Sequence, residues 1–100
     1  MITTIEEAIL WLKEQGLYAV KSKRLENSLR ASSRPKTSPG GIEYAENNLW
    51  IQQEGEKWII TILPTHSGCK LKYTHSNLDS AVKDAHAKIL GGTRNLIQSG

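Results

Sequence analysis

Asn48-Leu49-Trp50-Ile51-Gln52-Gln53-Glu54-Gly55-Glu56-Lys57-Trp58-Ile59-Ile60-Thr61-Ile62-Leu63 carries the strongest structural signal in the 100-residue chain. Two runs rich in Trp, Ile and Leu flank Glu54-Gly55-Glu56, and glycine suits the positive φ of a tight hairpin. With a two-residue turn at Glu54-Gly55, Leu49, Ile51, Trp58, Ile60 and Ile62 share one face. Trp50, Gln52, Lys57, Ile59, Thr61 and Leu63 share the other, because successive side chains alternate along a strand. Pro64 ends the second run, and Thr65-His66-Ser67-Gly68 turns the chain. Cys69–His75 then alternates as a third strand. It adds Leu71 and Tyr73 to the apolar face and Lys70, Lys72 and Thr74 to the mixed one.

Two amphipathic helices bracket this meander. Thr3 and Thr4 offer N-caps with Glu6 and Glu7 at capping-box spacing, and Ile5, Ala8, Ile9 and Leu12 form one apolar stripe. Gly16 closes that helix in the left-handed region, with Leu17 packing back behind it. At the other end Ser76 is the expected cap, with Asp79 at N3. Leu78, Val82, Ala85 and Ile89 make the core stripe, and Gly91-Gly92 ends the helix. Leu17–Val20 reads either as a short strand or as the lead into further helix. The spacing of Leu25 and Leu29 suggests a helical turn or two over 24–31. Ser-Ser-Arg-Pro-Lys-Thr-Ser-Pro-Gly-Gly at 32–41 reads as loop. The expected architecture is therefore α+β in the order α-β-β-β-α. A three-stranded antiparallel sheet carries both helices on one face. One domain spans 1–92, with 21–41 as a basic Ser/Pro/Gly-rich loop or arm, and 93–100 form a weakly ordered tail.

Length and composition set the functional bounds. One hundred residues support one modest core. No apolar run approaches the roughly 18 residues of a membrane span. The one cysteine excludes a disulfide framework and a Cys-rich zinc site. Glu6 and Glu7 stand where a signal peptide would carry positive charge, so a cytoplasmic address is expected. The net charge is +3 and is unevenly spread. Lys21, Lys23, Arg24, Arg30, Arg34 and Lys36 against Glu26 give the 21–40 stretch a balance of +5. Such a block attracts anions unless it is only a solvated loop.

Catalytic readings are thin. His66, His75 and His86 follow no metal-ligand spacing, Cys69 near His66 does not complete a site, and no cofactor is expected. His75, Ser76 and Asp79 have the residue types of a hydrolytic triad, but Ser76 and Asp79 are better explained as a helix cap and its partner. A metal-free nuclease using His66 or His75 with Lys70 or Lys72 remains a third reading.

The α-β-β-β-α order resembles that of double-stranded-RNA-binding domains, over most of the chain but as an order of elements only. That family places a basic cluster at the start of its last helix. Here the position reads Ser76-Asn77-Leu78-Asp79-Ser80. The loop after the family's first strand carries Gly-Pro and a histidine, where this chain has Glu54-Gly55-Glu56. The resemblance implies a fold and carries no RNA contact over to these residues.

The leading functional expectation is a non-enzymatic interaction module that binds a protein partner through the sheet face opposite the helices. Its contact residues are Trp50, Ile59, Lys70 and Lys72, with Arg24, Arg30, Arg34 and Lys36 as electrostatic help. The second expectation is binding of RNA or single-stranded DNA through the 21–36 stretch and Lys70/Lys72. An exposed third strand could also pair edge to edge into a homodimer.

Overall fold

A computed structural model describes residues 1–23, 25–34, 36–44, 48–62 and 70–99, with backbone alone at 36, 43, 44 and 91–99. Helix α1 spans Ile5–Glu14. Seven strands follow among the described residues: β1 Tyr18–Lys21, β2 Ser28–Ser32, β3 Lys36–Thr37, β4 Glu43–Tyr44, β5 Leu49–Glu54, β6 Lys57–Ile62 and β7 Leu71–His75. Helix α2 spans Leu78–Ser99. The main sheet has five antiparallel strands in the order β1-β2-β5-β6-β7, and β3 and β4 form a separate two-stranded hairpin. The α+β class and the antiparallel sheet stand. The strand number is corrected from three to five, so the likeness to the α-β-β-β-α order of double-stranded-RNA-binding domains fails at the level of topology.

The sheet grew in the stretch read as loop. Ser28-Leu29-Arg30-Ala31-Ser32 is strand β2, not a helical turn; it pairs with β1 on one side and β5 on the other. Its intrinsic strand preference is weak, and pairing on both flanks overrides it. Asn27 takes a φ of 51° just before the strand, a conformation asparagine tolerates. Its side-chain amide donates to Gln53 Oε1 at 2.9 Å, tying the strand's entry to β5. In the Ser/Pro/Gly stretch, Ser38 and Ile42 close the β3–β4 connection, with the Ser38 N–H donating to the Ile42 carbonyl at 2.8 Å. Gly41 supplies the positive φ that this turn needs.

The central hairpin turns on Gly55-Glu56, because Glu54 pairs with Lys57. Gly55 has φ +65° and Glu56 is not in the positive-φ region, which is the type II′ pattern. The turn thus sits one residue later than expected. The pairing moves by two residues, and a shift of two preserves both faces. Leu49, Ile51 and Ile60 are essentially fully buried and Trp58 is 9% exposed.

Both helices cover that face. Helix α1 packs on β1 and β2, α2 packs on β5, β6 and β7, and the helices touch each other. Ala8, Ala19 and Ala31 all have zero exposure, so small side chains let α1 lie close to the first two strands. Leu78, Ala81, Val82, Ala85 and Ile89 form the buried stripe of α2. Trp11 meets His86 edge to face at 5.2 Å where the helices adjoin.

The helix ends follow from local hydrogen bonding. The Thr4 hydroxyl accepts from the Glu7 N–H at 3.1 Å. Gly16, at φ +86°, donates to the Lys13 carbonyl while Leu17 donates to Leu12, which is a Schellman closure. The cap of α2 is Asn77 rather than Ser76: its Oδ1 accepts from the Ser80 N–H at 2.8 Å. Asp79 instead receives the Ile2 N–H at 3.0 Å and ties the chain's start to α2. The helix continues through Gly91 and Gly92 to Ser99, across residues expected as a tail. No helix among the described residues is long and apolar enough to cross a membrane.

Candidate functional site

The sheet face turned away from the helices is built by register. Val20 lies opposite Arg30, Arg30 opposite Trp50, Trp50 opposite Thr61, and Thr61 opposite Lys72. These five residues form one row across all five strands, about 19 Å long at the usual strand spacing. A second row runs Ser28, Gln52, Ile59, Thr74. Trp50 and Ile59 are half-buried, and Arg30 and Lys72 are exposed. Directly opposed side chains have Cβ atoms roughly 5 Å apart, so Arg30 and Trp50 are cross-strand neighbours.

The electrostatics of the two layers differ. In the helix layer the main charges are paired: Lys21 with Glu6 at 3.3 Å, Lys83 with Asp79 at 3.2 Å and Lys88 with Asp84 at 2.8 Å. Among the described strand residues of the open face, Arg30, Lys57 and Lys72 stand against Glu54, which lies opposite Lys57 at the hairpin end. Arg30 and Lys72 form no ion pair among the described residues. The surface is thus an aromatic and aliphatic centre with a cation on each side.

Four of the expected contact residues, Arg30, Trp50, Ile59 and Lys72, come together on this face. Lys70 is exposed directly before β7, and Arg34 is exposed just beyond β2. The side chain of Lys36 lies outside the described residues, as does Arg24. Sequence reasoning missed Tyr18 and Val20. Their signal was the alternation of Tyr18-Ala19-Val20-Lys21, in which Ala19 alone is fully buried.

The histidine readings are rearranged. His75 lies opposite Trp58, on the helix side of the sheet, whereas Lys72 is on the other side. His75 Nε2 sits 2.7 Å from Asp84 Oδ2, not at Asp79. Lys88 bonds the second Asp84 oxygen and lies 4.1 Å from the centre of the Tyr73 ring. His66 and Cys69 lie outside the described residues. Among the described residues no group of three or more His, Cys, Asp and Glu could hold a metal ion.

The Asp84 cluster fastens the edge strand β7 to α2. Burial would raise the Asp84 carboxyl, but hydrogen bonds from Lys88 and His75 and their charges outweigh it and hold the group below its ordinary value. The unfolded chain therefore binds that proton more readily. The cluster's stabilisation is present above the ordinary carboxylate range, near pH 4, and is lost as the pH falls through and below it. Urea unfolding across a pH series is expected to show an acid-side decline in the wild type that Asp84→Asn makes shallower. Parallel declines would remove the cluster as a contributor.

Comparison with known proteins adds no constraint: no family model matches the chain, and no curated protein or solved structure matches it.

Proposed function

We propose that this protein is a non-enzymatic interaction module that receives an acidic protein partner on its open sheet face. One observation carries the reading: Trp50 stands mid-row with Arg30 and Lys72, which form no ion pair among the described residues, on either side, on the face that neither helix covers. Aromatic residues and arginine are enriched at binding hot spots, and the half-buried Ile59 supplies apolar area beside them. Carboxylates flanking an apolar side chain on the partner would meet Arg30 and Lys72 while that side chain covers Trp50. Glu54 and Glu56 interrupt the positive field at the hairpin end, which suits a patchwise protein surface better than a continuous phosphate backbone.

Binding of single-stranded RNA or DNA is the second reading, since stacking on Trp50 with phosphate contacts at Arg30 and Lys72 uses the same row. Affinity capture from the native host, with and without nuclease, separates the two. Under the protein reading, wild-type protein retains its partner after nuclease treatment and Arg30→Glu/Lys72→Glu does not. Loss of the partner on nuclease treatment, with oligonucleotide affinity that falls steeply as salt rises, would replace it with the nucleic-acid reading. Retention by the charge-reversed variant would overturn both.

A further inference from the structure

The two edges of the main sheet are not alike. The β1 edge is four residues long, carries the fully buried Ala19, and lies under α1. The β7 edge is five residues long, and Leu71, Lys72, Tyr73 and Thr74 are all exposed. No strand among the described residues pairs with the outer side of β7. Leu71 and Tyr73, at 45% and 38% exposure, are large apolar side chains on the helix side of this strand. An edge of that kind offers free backbone donors and acceptors to another strand.

We infer that β7 pairs antiparallel with β7 of a second copy of this chain, about a two-fold axis at Tyr73. This inference is independent of the partner reading for the open face. The side chains select the register. With Tyr73 on the axis, the two Tyr73 rings lie opposite each other, an aromatic pair of the kind that stabilises antiparallel strands. Lys72 then lies opposite Thr74 of the second copy, and Leu71 opposite its His75. Centring the axis on Lys72 would place like charges directly opposite, which is unfavourable. Centring it on Thr74 would separate the two tyrosines and move Lys72 beyond the strand, opposite Ser76. A two-fold axis perpendicular to the sheet keeps both helix layers on one side. The result is a continuous ten-stranded sheet with the two α2 helices flanking the seam, and Leu71 and Tyr73 of both copies along it. Such an interface is isologous and closed, so assembly stops at two.

Sedimentation equilibrium of the full chain over a concentration series is expected to show the mass rising from one chain toward two. Tyr73→Lys places like charges on the axis and is expected to hold the mass at one chain throughout, with an unchanged circular dichroism spectrum. The register has its own test in a Cys69→Ser background. Tyr73→Cys is expected to form an intermolecular disulfide on mild oxidation, and Lys72→Cys, which faces threonine, is not. A single-chain mass at every concentration, a dimer that Tyr73→Lys leaves intact, or equal cross-linking at 72 and 73 would each overturn the assignment.

Discussion

Ile51→Ala is expected to lower the unfolding free energy by about 2–5 kcal/mol, the range for deleting most of a large aliphatic side chain from a packed core. Ile51 lies on the middle strand of the sheet, opposite Leu29 on β2 and Ile60 on β6. All three have zero exposure. Helix α2 packs over this strand, so the space left by the truncation lies between layers rather than at the surface. A domain of this size has roughly 5–15 kcal/mol in total, so the loss is a large share of it. Urea unfolding measures it as a drop in the midpoint with an unchanged slope. A change under about 1 kcal/mol, the ordinary range of surface substitutions, would take Ile51 out of the core.

Trp50→Ala, one residue earlier, is expected to do the opposite. Its side chain points to the open face and is half-buried, so stability falls by about 1 kcal/mol. Affinity for the captured partner falls by about 30-fold or more, since truncating a hot-spot aromatic costs about 2 kcal/mol or more and 1.4 kcal/mol is tenfold. Titration calorimetry with the purified partner reads the affinity, and urea unfolding reads the stability. Adjacent positions in one strand should thus separate folding from binding. Equal affinities for wild type and Trp50→Ala would leave the tryptophan with no role in recognition.

The parts of this molecule with local signals were legible in its sequence. The capping threonine at 4, the glycine closure at 16 and the stripes of both helices depend on neighbours a few residues away. The 48–63 hairpin declared itself because alternation of large apolar residues is a strong period-two pattern. Its faces survived the misplaced turn, since a two-residue shift returns each side chain to its own side. Strand β2 was not legible, because Ser28-Leu29-Arg30-Ala31-Ser32 has few β-branched or aromatic residues and is held by partners far away in sequence. Its small buried Ala31 answers to α1 overhead, a tertiary requirement that no local window contains. The candidate site was half legible for the same reason. Trp50, Ile59 and Lys72 belong to the visible meander, whereas Arg30 joins them only because β2 inserts beside β5. Arg30 was named as part of a basic stretch; its position next to Trp50 is a product of the unseen strand.

The extra strands also change what the positive charge means. Read along the sequence, 21–40 is a diffuse basic arm. Folded, it splits between places with different surroundings. Lys21 pairs with Glu6 in the helix layer, and Arg30 faces outward beside Trp50. Surface charges of the first kind contribute little beyond local order, while an exposed cation opposite a tryptophan, with no ion pair among the described residues, is available to a partner.

The most direct test of the open-face reading is a two-dimensional NMR titration of labelled protein with the captured partner. Shifts are expected at Arg30, Trp50, Ile59 and Lys72 on the outward rows, with helix residues such as Leu10, Glu14 and Lys83 unmoved. Shifts confined to the helix layer, with the Trp50 indole resonance unchanged, would contradict it.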